Sequence, residues 1–171
     1  MDINTLTDYF TQYGMIMIFV MILLEYMNFP GLAAGIIMPL AGICGANSGE
    51  SFIKVMIVSL IAGLVGSWIL YFIGRFFGDL ILKEYLPKFP KIEAVVNKNI
   101  DEINNRGSIG VVIGKLVPMA RTLIAVPAGA LKLNFFKYSA SAAVGIFIWN
   151  LVFIGSGYYF GGTVMNVLAS I

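Results

Sequence analysis

The stretch "GKLVPMARTLIAVPAG", residues 114–129, decides how the chain is read. It is apolar and rich in small residues, as a segment at membrane depth would be, yet it holds Lys115, Arg121, Pro118 and Pro127. A charge at the centre of a membrane helix costs roughly 2.5–3.5 kcal/mol on insertion scales. Each proline deletes an amide donor and frees the carbonyl four residues back, here those of Gly114 and Leu123. Lipid cannot hydrogen-bond such carbonyls, so protein or a wet cavity must. The segment is therefore expected to be a broken, re-entrant hairpin, with Pro118, Pro127 and Gly129 at the breaks.

The surrounding chain is of the same kind. Of its 171 residues, 59% are apolar and only 12% charged, with a mean hydropathy of +0.90, against about 25% charged in soluble domains. Residues 55–74, 20 in all, carry no charge, enough to cross the ~30 Å of a bilayer core. Glu25 is the only charge in 13–46, and none follows residue 137. These features define an all-α integral membrane protein. The acidic start "MDINTLTDYFTQYG" lacks the basic region and cleavage site of a signal peptide, so the N-terminus is expected to stay on. Cys44 is the single cysteine and is expected to be a packed thiol. The absence of histidine removes the commonest metal ligand and proton shuttle. No cofactor, metal or nucleic-acid partner is implied, and enzyme readings recede.

Five apolar blocks follow one another at about 13–28, 30–49, 52–78, 114–129 and 135–160. The second, like the fourth, is interrupted: Pro30, Gly31, Pro39 and Gly42 mark its expected breaks. "PLAG" in block two echoes "PAG" in block four, and "WILYFIG" from Trp68 echoes "WNLVFIG" from Trp149. A hairpin plus a span, an odd number of passages, is read as repeated in inverted orientation, which places a transporter site near the midplane. The organisation is one domain over 1–171: a first repeat at about 30–78, a connector at 79–107 and a second repeat at about 108–161, with about three full spans. In the connector, Ile92, Val95, Val96, Ile100 and Ile103 have the spacing of an amphipathic interfacial helix. Arg75, Lys83, Lys88, Lys91, Lys98, Arg106, Lys132 and Lys137 fall on one face and Lys54 on the other. The positive-inside rule makes the first face cytoplasmic, with the N-terminus inside and the C-terminus outside.

Lys115 and Arg121 lie six positions apart, about 120° around an unbroken helix. A break at Pro118 lets them converge on one anion, and a phosphate suits a guanidinium with an ammonium. Snorkelling, or pairing with Glu25 or a carbonyl, is the structural alternative. Glu25 is able to trade a proton during a cycle; facing Arg121 it would instead stay ionised and gate the cations. Arg75, between Gly74 and Gly78, reads as an interfacial anchor. The pairs Gly31/Gly35, Gly74/Gly78, Gly110/Gly114 and Gly157/Gly161 read as helix packing.

These motifs, "LLEYMNFPG", "IIMPLAG", "YFIGRFFG" and above all "GKLVPMARTLIAVPAGALKLNFFKYS", resemble the DedA family, also described as SNARE-associated or VTT-domain proteins, over about residues 13–161. The family pattern Gly-Arg-x-x-Pro-x-x-Arg-Thr-x-x-x-x-Pro-Ala-Gly matches Gly114, Lys115, Pro118, Arg121, Thr122, Pro127, Ala128 and Gly129. The resemblance implies two re-entrant hairpins and movement of undecaprenyl phosphate or glycerophospholipids across a bacterial cytoplasmic membrane, with proton or sodium coupling. The chain departs from the pattern with Lys115 for an arginine, Ala33, Ala34 and Gly35 where an acid is common, Ser67 for another acid, and no further final span.

The expected function is therefore transport of a lipid phosphate, undecaprenyl phosphate foremost, from the outer leaflet inward, with Arg121 and Lys115 on the phosphate. A phosphatidylethanolamine-type flippase or scramblase is the alternative, with Glu25 near the amine. A membrane assembly factor and a lipid phosphatase rank lower, the latter because no serine or cysteine is expected beside a base. A homo-oligomer is compatible with each.

Overall fold

The computed structural model describes residues 3–27, 34–80, 82, 84, 86–117 and 120–169, and no strand occurs among them. The helices are α1 (Ile3–Tyr26), α2 (Ala34–Asn47), α3 (Phe52–Leu80), α4 (Pro90–Arg106), α5 (Ser108–Leu116), α6 (Ala120–Leu123), α7 (Ala125–Ala130) and α8 (Phe135–Ala169). Two stretches, Phe52–Gly78 and Phe135–Gly161, are long and apolar enough to cross a membrane, 27 residues each. The expected first span is α1, whose described apolar part is the shorter Gly14–Tyr26.

The surface is apolar where a water-soluble fold would be polar, and ionic side chains sit inside a mainly apolar core. Phe76, Phe136, Phe160 and Ile53 point outward, while Glu25, Ser59, Ser67, Lys115, Arg121 and Asn150 are buried. Apolar side chains outside and ionic ones inside are what a hydrocarbon solvent demands.

Local chemistry sets the turns. α2 ends with the Glu50 N–H on the Gly45 carbonyl and the Gly49 N–H on that of Ala46, both 3.1 Å, a Schellman cap that needs a left-handed residue; Gly49 supplies it at φ +67°. α7 ends the same way, with Leu133 N–H on Ala128 and Lys132 N–H on Gly129, and Lys132 takes the left-handed position at φ +54°. Asn134 then caps α8, its Oδ1 accepting from the Phe136 and Lys137 amides at 3.0 and 3.2 Å, as N-cap side chains do.

Glycines set the helix pairing. A Cβ added at Gly42 would strike the Ile154 carbonyl, one at Gly157 the Pro39 carbonyl, and one at Gly161 the Ile43 side chain, so α2 lies backbone-to-backbone on α8. On α7 and α3 the collisions are Gly129 with the Tyr71 carbonyl, Gly74 with that of Val126, and Gly78 with Ala130. The two sets match: Gly42 and Gly129 play one part, Gly74/Gly78 and Gly157/Gly161 the other. Each broken-block helix thus packs on the long helix of the other half. The letter-by-letter alignment on Trp68 and Trp149 equates Gly74 with Gly155. Packing corrects it to Gly157, since a Cβ at Gly155 meets only the Phe52 ring, at ordinary distance.

Other expectations need correction too. α2 runs unbroken through Pro39 and Gly42; neither is a hairpin break, because one lost amide does not end a helix clamped along its length, and Gly42 serves contact with α8. Pro30, Gly31 and Pro118 lie outside the described residues. The connector helix exists as α4, begun by Pro90 at a position that needs no amide. It buries Val96, Asn99 and Ile103, while Ile92 is exposed. Arg75 is exposed and donates to the Tyr71 hydroxyl at 2.9 Å, which itself donates to the Leu133 carbonyl. Arg75, Lys132 and Lys137 therefore share one end of the bundle. Lys54 sits at the other, paired with Glu50 at 3.1 Å, where the Tyr158 hydroxyl reaches the Glu50 carbonyl at 2.7 Å.

Candidate functional site

The puzzle segment breaks just before its first proline. α5 stops at Leu116, and Val117 is extended at φ −94°, ψ 125°, the conformation a following proline imposes. Helix resumes at Ala120, with the Arg121 amide on the Val117 carbonyl at 3.0 Å. Pro127 interrupts less: it falls in the first turn of α7, where its missing amide matters least, and the Ile124 and Ala128 amides still bond four residues back. Gly145 on α8 leaves room for the Lys115 stem, since a Cβ there would strike it.

The break brings the two cations to one place. Arg121 and Lys115 are each only 1% exposed. Arg121 Nη2 donates to Glu25 Oε1 in a buried ion pair. The guanidinium is 4.8 Å from the Tyr26 ring centre and 5.0 Å from that of Trp149, within cation–π range. Lys115 Nζ is 5.4 Å from the same Tyr26 ring and donates to Ser67 Oγ at 2.7 Å. Of the two arrangements open to Glu25, the one observed is the carboxylate facing Arg121. Two cations then share one carboxylate, and the centre carries a formal excess of one positive charge.

Its donors, and one carboxylate acceptor, are not all matched. Arg121 Nε and Nη1, Trp149 Nε1 and Glu25 Oε2 are buried and have no hydrogen-bond partner among the described residues. A buried donor left unmade costs about 1–3 kcal/mol, so a cluster of them marks a place prepared for acceptors.

Several members were not singled out from sequence. The Tyr26 hydroxyl donates to Asn150 Oδ1 at 3.0 Å, Asn150 Nδ2 to Ser59 Oγ at 3.1 Å, and Ser59 to the Met56 carbonyl at 2.9 Å. Asn99, from α4, donates to the Ala120 carbonyl at 3.4 Å, and its Oδ1 lies beside Gly114. It therefore touches the residue preceding each cation, on both sides of the break. A cavity of about 270 Å³ opens there, lined by Val95, Lys98, Asn99, Glu102, Val117 and Ala120 among others. The available signal was the placement of neutral polar residues in apolar spans. A second correction concerns Ser67, which does have a basic neighbour, Lys115, across the bundle.

Two helices long and apolar enough to cross a membrane, an apolar exterior and an ionic centre are what a helical membrane protein with a buried cationic site presents. Residues 32–159 match the family model described as the VTT domain. The chain belongs to that family, the DedA group its motifs resemble. It is 29% identical over 156 residues to undecaprenyl phosphate transporter A of Staphylococcus aureus, covering 88% of this chain and 76% of the relative. It is 26% identical over 155 residues to an alkaline phosphatase-like protein of Lactococcus lactis subsp. cremoris (88% and 72%). To protein DedA of Escherichia coli K12 it is 27% identical over 106 residues (62% and 48%). No solved structure matches.

Proposed function

We propose that this protein moves a phosphate-bearing lipid, foremost undecaprenyl phosphate, from the outer to the inner leaflet of a bacterial cytoplasmic membrane. The observation that carries the reading is the buried set of unpartnered N–H donors on Arg121 and Trp149, beside Lys115. Donors and positive charge in excess, inside a bundle solvated by lipid, suit an anionic acceptor that brings its own apolar tail. The name of the S. aureus relative supports the same cargo. A phosphatidylethanolamine headgroup fits less well, because its ammonium would add a third cation to Arg121 and Lys115 around the single carboxylate of Glu25, one oxygen of which Arg121 already holds.

Two copies of a helix-plus-span unit, 34–78 and 108–161, in inverted orientation complete the reading. It is supported by the matched glycine contacts, in which α2 runs parallel to α8 and α7 parallel to α3. The end bearing Arg75, Lys132 and Lys137 is cytoplasmic by the positive-inside rule. The hairpin carrying Arg121 then rocks against the rest, exposing the cations to each leaflet in turn. Carriage without hydrolysis is the reading. The 2.7 Å contact of Lys115 with Ser67 is the one feature that favours a hydrolase, a lysine beside a hydroxyl being a known nucleophile arrangement.

Reconstitution in vesicles tests it. Arg121→Ala is expected to abolish inward movement of labelled undecaprenyl phosphate while the protein is still produced and inserted; unaltered movement would refute the reading. Purified protein incubated with the same lipid is expected to release no inorganic phosphate, and release dependent on Ser67 would make it a phosphatase. Proton coupling, where present, runs through Glu25, the one acid at the centre; Glu25→Gln then flattens the pH profile of transport, and an unchanged profile excludes that role.

A further inference from the structure

Trp149 is larger and more polar than its packing requires. Its ring stacks on Phe153 at 4.5 Å and lies against the Arg121 guanidinium at 5.0 Å. A phenylalanine would supply both contacts. What the indole adds is Nε1–H, buried and without a partner among the described residues, although a buried tryptophan N–H ordinarily finds one. The ring carrying it lies 5.0 Å from the Arg121 guanidinium, whose Nε and Nη1 are also unmatched, and Lys115, with three N–H bonds, has one on Ser67. Three residues on separate elements thus carry donors around one buried centre: Lys115 from α5 and Arg121 from α6 against the Tyr26 ring, and Trp149 from α8 against the Arg121 guanidinium.

We propose that Trp149 is a specificity residue whose indole N–H donates to a terminal oxygen of the lipid phosphate, so that the three-sided donor set selects a phosphate monoester over a diester. This rests on the phosphate-lipid reading above. A monoester presents three terminal oxygens and close to two negative charges, one oxygen for each donor residue. A diester gives one of those oxygens to its second ester link and keeps a single charge, leaving one donor residue unmatched at the centre. Desolvated donors discriminate strongly against a ligand that cannot meet them.

The chain has two tryptophans, so Trp68→Phe leaves Trp149 as the sole indole reporter in the full chain. Titration with phosphatidic acid or undecaprenyl phosphate is expected to change Trp149 emission saturably. Phosphatidylglycerol is expected to need at least about tenfold higher concentration for the same change, the effect of one lost hydrogen bond, and equal half-saturation by the two lipids overturns the selectivity. Inorganic phosphate is the control for a headgroup without a lipid, and an equal response to it overturns the lipid source. Trp149→Phe keeps the ring but removes the reporter, so its binding is read by retention of radiolabelled lipid on the purified protein; monoester binding is expected to weaken about ten- to a hundredfold, the size of one charge-assisted hydrogen bond, while diester binding is unmoved. Equal monoester affinity in Trp149→Phe and the parent overturns the role of Trp149. Unchanged monoester affinity in Arg121→Ala overturns the phosphate reading beneath it, so the two failures are told apart.

Discussion

The ion pair between Glu25 and Arg121 makes a stability prediction that needs no assumption about cargo. Both side chains are 1% exposed, so removing one charge strands the other where neither water nor lipid can solvate it. Breaking a buried pair from one side costs about 3–5 kcal/mol. Glu25→Gln and Arg121→Met, chosen to keep volume, are each expected to cost that much, roughly 6–20 °C in Tm at about 2–4 °C per kcal/mol. The double variant buries no charge. It loses the stacking of Arg121 on Tyr26 and Trp149, about 2 kcal/mol or more for a desolvated cation–π contact, but the Arg121 single variant loses it equally, so it cancels in the cycle. The singles sum to about 6–10 kcal/mol, so the cycle should show a coupling of at least about 3 kcal/mol. Thermal unfolding in detergent, followed by helix content, measures all four proteins. A double variant as unstable as the sum of the singles would falsify the pairing. The rescued double variant is also expected to be folded and inactive, which separates the fold from the phosphate grip.

Two further tests address the scaffold. Gly157→Ala and Gly129→Ala are expected to destabilise by about 1–3 kcal/mol through overpacking, since each new methyl lands on a carbonyl of the facing helix. Gly155→Ala should be neutral or slightly stabilising, as a helical glycine gains up to about 1 kcal/mol on becoming alanine; equal losses in all three would contradict the pairing. Asn99→Leu frees the Ala120 carbonyl and should loosen the break. A Val117→Cys label site, 40% exposed, in a Cys44→Ala background should then react about tenfold faster with a water-soluble maleimide, one hydrogen bond's worth. An unchanged rate means that Asn99 does not hold the break.

How much of this was legible in the sequence depended on whether a residue acts alone. Charges at membrane depth have few benign explanations, so Lys115, Arg121 and Glu25 stood out and do meet. The end of α5 was legible from the sequence, since Val117 precedes a proline and is extended, while Pro118 itself lies outside the described residues. Pro39 misled because a proline announces a lost amide, while its consequence depends on the support around it: α8 clamps α2 through Gly42, and the helix survives. Trp149, Asn150 and Ser59 gave only a weak signal because neutral polar residues are common in spans, and only the third dimension shows which ones are orphaned or chained together. The repeat was visible in its letters and wrong in its register, because glycine spacing records contact whereas tryptophan spacing here does not.

The departures at 115 and 67 are better understood as one change than two. They are 48 positions apart, yet Lys115 Nζ and Ser67 Oγ are 2.7 Å apart. A carboxylate at 67 would draw Lys115 into a second internal ion pair and cancel the positive excess that the headgroup needs. A hydroxyl holds the lysine in place and leaves its charge uncommitted. An arginine at 115, the residue of the family pattern, is too long for the same slot: Gly145 hugs the stem and Ser67 already meets the tip. Lys115→Arg alone should therefore overpack by about 1–3 kcal/mol and slow transport. Ser67→Asp alone should stay folded, and phosphate-lipid affinity should fall because Lys115 is neutralised. The pair Lys115→Arg/Ser67→Asp restores the fit of a bidentate guanidinium to a carboxylate, so its stability should exceed that of Lys115→Arg, with affinity still reduced. Tm and lipid binding measured on the three variants decide it: full affinity in Ser67→Asp would show that the uncommitted charge of Lys115 is not what the lipid phosphate meets.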